Sequence, residues 1–499
     1  MTLEQLYLTL LVGAVVVLVS IGATRVASIV GLPSLLLYLA VGVLLGEDVL
    51  GIKFDNAQLA QDLGTAALAI ILIEGGLTTR WSEIRSVIAP AAVLATLGVG
   101  ISAVVTAVGA HVLLGFGWQL SLLLGAVVSS TDAAAVFAVL RALPLPRRVA
   151  GLLEAESGFN DAPTVILVVV FSETPFRLSA ANLIGELAYE LAVGAVIGIA
   201  VGWAARFTLP RVALPASGLY PLATFGLCLI AFAAAGAGHA SGFLAAYLAA
   251  LVVANGPGLP HRAATRSFAE GLGSLAQIGL FVLLGLLVDP SRLGHELVPA
   301  LVVGVVLLIA ARPLSVVFSL LPFRTPLREQ AFLSWAGLRG AVPIVLATFP
   351  VVQGVPDSDR VLNIVFVLVA VFTLIQGPSL APLSRLLRLS PRGSAREILV
   401  ESAPLDVLDA ELLTMTITPD SRLAAVSVLE LRLPDPAVIT LIIRDGHSFV
   451  PTDDTRLQPG DEVLIVTTRR QREKTERRLR AVDRRGPLAH WFDEYGEPD

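Results

Sequence analysis

Runs of roughly twenty apolar residues follow one another as far as Leu389, and they constrain the fold more tightly than any other feature. Lipid offers a backbone no hydrogen-bond partner, so a segment that crosses it must satisfy its own N–H and C=O groups, as a helix does. About twenty residues rising 1.5 Å each match a hydrocarbon core about 30 Å thick. On that length the chain reads as about thirteen spans, at 5–23, 28–46, 62–78, 88–114, 118–141, 147–171, 181–206, 218–236, 240–255, 268–288, 297–320, 328–350 and 361–384. With 55% hydrophobic and 15% charged residues and a mean hydropathy of +0.79, the fold class is an all-α polytopic membrane protein.

The connecting loops alternate in basic residues. One set holds Arg25; Arg80 and Arg85; Arg141, Arg147 and Arg148; Arg206 and Arg211; Arg262 and Arg266; Arg324 and Arg328; and Arg385, Arg388 and Arg392. The other holds Lys53, Arg177, Arg292 and Arg360. The positive-inside rule then puts the N-terminus outside and the C-terminus in the cytoplasm, and a missed or invented span would have scrambled the alternation. The opening MTLEQLYLTL lacks the basic region of a secretory signal, so its apolar run is expected to stay as a span. A single cysteine, Cys228, rules out a disulfide framework and a thiolate metal site. The net charge of −5 carries no nucleic-acid signal.

Composition changes after Leu389. The expected organisation is a transmembrane domain over 1–390, a polar linker over 391–404, a small cytoplasmic α/β domain over 405–482 and a charged tail over 483–499. LLTMTITP, AVITLIIRDG and DEVLIVTT read as short buried strands, Asp445 and Gly446 as a turn, and DSRLAAVSVLEL as an N-capped helix. RRQREKTERRLRAVDRR reads as a solvated helix rather than a lipid-binding patch.

A charged side chain at the bilayer centre costs at least about 2.5–3.5 kcal/mol, so each needs a partner, a water-filled cavity or a task. Those away from the span ends are few and grouped: Glu74 in LIEGGL, Asp132 in SSTDAAA, Glu154, Glu156 and Asp161 in LLEAESGFNDAP, Arg312 in AARPL and Arg339 in GLRGAVP. Glu186, Glu190 and Glu270 lie near the starts of their spans, within reach of the interface. Ser129 to Asp132 suit a helix interrupted mid-membrane, because their side chains bond backbone groups and the two half-helix ends need counter-charge. Asp132 then either meets a half-helix N-terminus or contacts an ion directly, while Thr131 offers a carbonyl to a cation. GLRGAVP, with Gly337, Gly340 and Pro343, reads as a second break seven spans later. An odd offset reverses direction, so the broken helices would cross antiparallel, as in inverted repeats formed by spans 1–6 and 8–13.

In ESGFND, Glu156 and Asn160 are four residues apart, as are Ser157 and Asp161, so each pair shares a helix face. Dehydration disfavours the charged form of a carboxylate and brings proton binding toward physiological pH. A group that binds either a proton or a hard alkali cation, and never both, is the minimum machine for exchange. Oxygens of Glu74, Ser157 and Asp161, with the carbonyl near Thr131, form the expected site for Na⁺ or K⁺. Glu156 is expected to pair with an arginine, Arg312 first and Arg339 second, as a structural ion pair outside the proton chemistry. Blander readings stand beside these: Glu74 caps the end of its span, Arg339 stabilises the broken helix, Glu154 and His111 belong to a pathway or interface, and His239 lies near an outer loop. GAGHASG precedes an apolar span, which excludes a phosphate loop.

SSTDAAAVFAVL, followed after a short basic loop by LLEAESGFNDAPTVILV, with LIEGGL before and GLRGAVP after, resembles the monovalent cation/proton antiporters, in particular their bacterial NhaP-like branch. GHASGFLAAYLAALVVAN and IGLFVLLGLLVDP are also similar to that family, and the resemblance covers roughly residues 5–390. It implies a dimer of thirteen-helix protomers with a rigid dimerisation layer and a mobile six-helix core. It also implies an ion site at Asp161, Ser157, Glu74 and the Thr131 backbone, Asn160 as a helix-positioning residue, Glu156 paired with an arginine on a later helix, and electroneutral exchange. Relatives commonly carry a proline just after the aspartate of the first break, where this chain has Ala133. LRLPDPAVITLIIRDGHSFVPTDDTRLQPGDEVLIV resembles the C-terminal lobe of RCK (TrkA-type) regulatory domains, and the combination looks like the potassium/proton antiporters called cell-volume-regulation protein A. No nucleotide-binding lobe precedes it, so neither NAD nor another cofactor is expected. A small ligand such as a cyclic dinucleotide between paired lobes, or plain reinforcement of the dimer, is the lobe's expected role.

These expectations converge on a secondary active antiporter of the plasma (inner) membrane that exchanges cytoplasmic K⁺, or Na⁺, for external H⁺. A gated cation channel with a ligand-sensing lobe is the alternative; channels usually line a pore with repeated subunit elements rather than one buried carboxylate cluster. An enzyme would need a nucleophile and a base, and His239 and Ser241 lie two apart with no orienting acid.

Overall fold

Backbone self-sufficiency makes the first part of the chain helical. The computed structural model describes residues 3–30, 33–47, 50–54, 56–132, 145–176, 180–212, 214–256, 259–389, 400–405, 410–418, 421–444, 446–468 and 471–486. The chain divides into two units, Met1–Ser390 and Pro391–Asp499. Helices of the first unit are α1 (Leu3–Val30), α2 (Ser34–Leu45), α3 (Ala57–Thr78), α4 (Ile88–Leu114), α5 (Trp118–Ser129), α6 (Arg147–Phe159), α7 (Asp161–Phe171), α8 (Ala180–Thr208), α9 (Leu219–Ala237), α10 (Gly242–Ala254), α11 (Arg262–Leu287), α12 (Pro290–Phe323), α13 (Leu327–Ala336), α14 (Ala341–Val352) and α15 (Ser358–Leu386).

Among the described residues eight helices are long and apolar enough to cross a membrane alone, and α13 with α14, bent by 54° at their break, make a ninth. Three more, α2, α5 and α10, are apolar but only 12 or 13 residues long. Of the expected span 118–141, α5 is the described helix, and 133–141 lies outside the described residues.

Several helices outrun the expected spans because caps, rather than hydropathy, set their ends. Thus α3 begins at Ala57, where Asn56 accepts the Leu59 N–H at 2.9 Å, and α12 begins at Pro290, capped by Asp289. Arg25, Arg206, Arg262, Arg266, Arg292, Arg328, Arg360 and Arg385, read as loop residues, lie within helices.

Two groups of helices are joined by backbone-close contacts. On α8, Gly194, Gly198 and Gly202 recur every four residues and face Ser241, Ala245 and Ala249; a Cβ on any of the three would meet the opposing backbone. Gly42 of α2 meets Gly285 of α11 in the same way, and Gly76 of α3 meets the backbone of α10. In the second group Gly125 of α5 lies against the backbone of Ala103 and Ala107 of α4. Between the groups the contacts are side chains: Val345 of α14 packs over Gly64 of α3, and the Tyr247 ring of α10 over Gly158 of α6. Helices α4 and α12 each carry a π-bulge, at Leu94–Gly98 and at Leu307–Ala311, the second immediately before Arg312.

The second unit holds a five-stranded antiparallel sheet in the order β1-β2-β5-β3-β4, from β1 (Val400–Leu405), β2 (Ala410–Thr416), β3 (Val438–Arg444), β4 (His447–Phe449) and β5 (Glu462–Thr468). Three expectations are corrected here. Strand β1 occupies part of the segment read as linker, with Val400 opposite Met415 and Leu405 opposite Ala410; residues 391–399 lie outside the described ones. The helix expected over DSRLAAVSVLEL shrinks to α16 (Val428–Leu431), with Ser427 and Glu430 forming a capping box. Ahead of it, the Ala425 N–H donates to Leu457 O at 2.8 Å and Leu457 N–H to Val426 O at 3.0 Å, so tertiary pairing takes groups that a helix would use. Helix α17 (Arg472–Arg485) is not solvated all round, because Thr475, Leu479 and Val482 are buried in the lobe. Tail residues 487–499 lie outside the described ones.

Candidate ion-binding site

The two expected breaks interlock. Helix α5 ends at Ser129, and Ser130, Thr131 and Asp132 continue as non-helical backbone. Asp132 N–H donates to Leu338 O at 2.9 Å, and its carboxylate accepts the Ala341 N–H at 2.8 Å, at the start of α14. In return Arg339 Nε donates to Val128 O at 3.2 Å in the last turn of α5, and its Nη1 donates to Gly337 O. An anion thus stands at a helix N-terminus and a cation at a helix C-terminus, each against a partial charge of about half a unit. Gly340 is required where it stands, since a Cβ there would collide with the Asp132 carboxylate.

Asn160 joins α6 to α7, and Asp161 is the first residue of α7. Ser130 Oγ donates to Asp161 Oδ1 at 2.7 Å. Asn160 Nδ2 donates to Thr131 Oγ1 at 2.5 Å, and the Thr131 hydroxyl lies 3.1 Å from that of Ser157. Ser130, Thr131, Asp132, Ser157, Asn160 and Asp161 are each 3% exposed or less. Asp132 and Asp161 line one cavity, whose other walls include Leu68 and Leu72 of α3, Phe281 of α11 and Val342 of α14. Its free space is about 10 Å³, room for about one water-sized guest.

Glu156 is held apart from this chemistry. Arg312 bridges both of its carboxylate oxygens, at 2.5 and 2.8 Å, with side chains 3% and 1% exposed. Asp132 caps α14 and Glu156 is neutralised. Asp161 is therefore the cavity-facing carboxylate that, among the described residues, receives a serine hydrogen bond and no ion pair.

Glu74 does not line this cavity: its carboxylate packs against Gly273 of α11. The reason is helical phase, because Glu74 is two residues, about 200°, beyond cavity-lining Leu72. Among the described residues no three His, Cys, Asp or Glu side chains gather as a metal-binding group. Thr131 joins the cluster through its hydroxyl. Ser130 was not singled out as a partner of Asp161; hydroxyls are too common for one to stand out in a sequence.

The remaining polar residues are placed as follows. Glu154 accepts a hydrogen bond from the Thr79 hydroxyl. His111 Nδ1 lies 2.6 Å from Phe116 O, with its ring stacked 4.1 Å from that of Trp118. His239 sits at φ 51° just after α9, and Ser241 caps α10. Glu270 pairs with Arg266 at 3.0 Å, Glu190 O accepts the Ser241 N–H at 3.1 Å, and Glu186 is exposed on α8.

Residues 14–386 match the family described as sodium/hydrogen exchanger, transmembrane, and residues 412–480 match the TrkA-C domain. The K(+)/H(+) antiporter NhaP of Alkalimonas amylolytica is 40% identical over 485 residues, 93% of this chain and 82% of that one. The K(+)/H(+) antiporter NhaP2 of Shewanella baltica is 35% identical over 465 residues, 91% and 80% of the two chains. The solved structure of the sodium proton antiporter MjNhaP1 from Methanocaldococcus jannaschii at pH 8 shares the fold at a TM-score of 0.60 and 22% identity, over 77% of this chain and 96% of that one. The chain therefore belongs to the sodium/hydrogen exchanger family of transmembrane proteins and carries a TrkA-C domain after its membrane helices.

Proposed function

We propose that this multi-pass membrane protein exchanges a monovalent cation, potassium or else sodium, for a proton by alternating access, and that Asp161 is the group both ions share. The antiport reading is supported by two relatives, 40% and 35% identical over 93% and 91% of the chain, that are K(+)/H(+) antiporters. The observation that carries the assignment of Asp161 is its setting, a buried carboxylate facing a cavity for about one small guest and free of any ion pair among the described residues. A proton or a cation there satisfies the same negative charge, so binding one displaces the other. Hydroxyl oxygens of Ser130, Thr131 and Ser157, the second carboxylate of Asp132 and the amide oxygen of Asn160 supply the hard donors an alkali ion needs. We assign Glu74 to the route toward this site.

Alternating access follows from how the helices touch. Helices α2, α3 and α8–α11 form one layer, and α4–α7 with α12–α15 form the other. Glycines bring backbones into contact between α8 and α10, α2 and α11, α3 and α10, and α4 and α5, whereas across the seam glycines meet a valine side chain and a tyrosine ring; the seam is the surface that slides. The same reading carries thirteen spans, an outward N-terminus, a homodimer and electroneutral exchange at the plasma (inner) membrane. It puts the second unit in the cytoplasm, paired with its copy, with a small ligand such as a cyclic dinucleotide as its regulator.

The test is dissipation of an imposed proton gradient in proteoliposomes containing a pH-sensitive dye, with K⁺ and Na⁺ titrated separately. Wild-type protein should collapse the gradient with saturable dependence on at least one ion, and Asp161→Asn should abolish the response. Exchange at the wild-type rate by Asp161→Asn would refute the assignment, and a current that never saturates with ion concentration would favour a channel.

A further inference from the structure

We infer that Thr79 and Glu154 form a latch across the seam between the two layers, closed in the conformation described and opened once in every transport cycle. The inference rests on the alternating-access reading. Glu154 lies on α6, seven residues before Asp161, which is two helical turns and about 10.5 Å toward the basic-loop end on nearly the same face. Its carboxylate accepts the hydroxyl hydrogen bond of Thr79, the residue just beyond the last turn of α3, in the opposite layer.

Thr79 is fastened to its own layer from both sides. Asn255, at the end of α10, donates from Nδ2 to Thr79 O at 3.0 Å and accepts the Trp81 N–H on Oδ1 at 2.8 Å. The same Nδ2 donates to Leu251 O at 2.9 Å, which fixes the amide to α10. When α6 moves against α10, Thr79 stays with α10 and the bond to Glu154 must break.

One turn deeper, the Tyr247 ring of α10 fills the space above Gly158 and meets the Phe159 ring edge-on, with centroids 5.6 Å apart. This apolar contact sits directly before the Asn160–Asp161 pair, between the latch and the ion site. A polar bond at the mouth and an aromatic plug behind it thus close one face of the seam, both contributed to the moving helix by α10 and the end of α3. A hydrogen bond from a hydroxyl to a carboxylate is strong enough to shift a two-state equilibrium about tenfold, and too weak to lock it.

The test uses the full chain in proteoliposomes, in a Cys228→Ala background, with Thr79→Cys and Glu154→Cys combined. Bridging the two thiols with a short bifunctional reagent should stop exchange, and reductive release should restore it, while each single-cysteine variant keeps its own untreated rate under the reagent. Bridged protein that exchanges at its unbridged rate overturns the latch; wild-type protein without cation/proton exchange overturns the functional reading and the latch with it. A second measurement needs no cross-link. Thr79→Val should shift the cation KM about tenfold on one side of the membrane relative to the other, and Thr79→Ser should restore the wild-type ratio. An unchanged ratio of the two KM values in Thr79→Val contradicts the latch.

Discussion

Glu156 and Asp161 stand five residues apart in one short acidic stretch, yet their surroundings give them opposite tasks. Glu156 is consumed by Arg312, and removing its charge leaves a buried guanidinium unpaired. Such a loss costs about 3–5 kcal/mol, so Glu156→Gln should lower the thermal unfolding temperature in detergent by several degrees. Asp161 faces a cavity and holds one serine hydrogen bond, so Asp161→Asn should unfold no earlier than wild type while losing exchange. An equal loss of stability in both variants would contradict this division. The acidic and basic members of the site were legible in the sequence because charge at bilayer depth needs a reason. Ser130 was not, because a hydroxyl carries no such cost, and neither was the packing of Glu74 against Gly273 outside the cavity lining, because residue type says nothing about helical phase.

Among the elements, the crossing breaks decide the most. SSTD and GLRG were legible as interruptions, but their reciprocity was not: which carboxylate caps which helix depends on a contact over 209 residues of separation. Gly340→Ala tests that contact, since its Cβ would enter the space of the Asp132 carboxylate. Overpacking of this kind costs about 1–3 kcal/mol, and the variant should show faster hydrogen exchange in α14 than in α15. In the second unit the strands were legible from their alternation, whereas the short helix α16 was overextended because backbone pairing with Leu457 competes for the same groups. There Asp461 accepts Arg444 Nε and Nη2 at 2.7 and 2.8 Å and the Gln458 N–H at 2.8 Å. Burial raises its affinity for protons, but those hydrogen bonds and the charge of Arg444 lower it further, and the carboxyl ends below its ordinary 3.8. A depressed folded value means that the stabilisation is present above 3.8 and is lost as the pH falls through the lower, folded value. Asp461→Asn should therefore speed hydrogen exchange of β5 in the full chain at neutral pH, with the difference from wild type narrowing as the pH drops below 3.8. A difference that stays constant to lower pH would show that the pair contributes nothing through its charge.

On the scale of the molecule, apolar run length made the membrane unit legible and a change of composition made the second unit legible. The seam between layers was not, because it depends on which glycines meet backbone and which meet side chains. Under the proposed alternating access, that seam lets one small cavity, bounded by both layers, face either side of the membrane in turn. The central claim is that a proton and a cation compete for the same group there. Its most direct test is the cation KM in proteoliposomes as a function of pH. The account predicts a KM that rises about tenfold for each pH unit lost on the acid side, at constant maximal rate, as proton displacement by a bound cation requires. A KM independent of pH, with the maximal rate alone responding, would mean that the two ions never share Asp161.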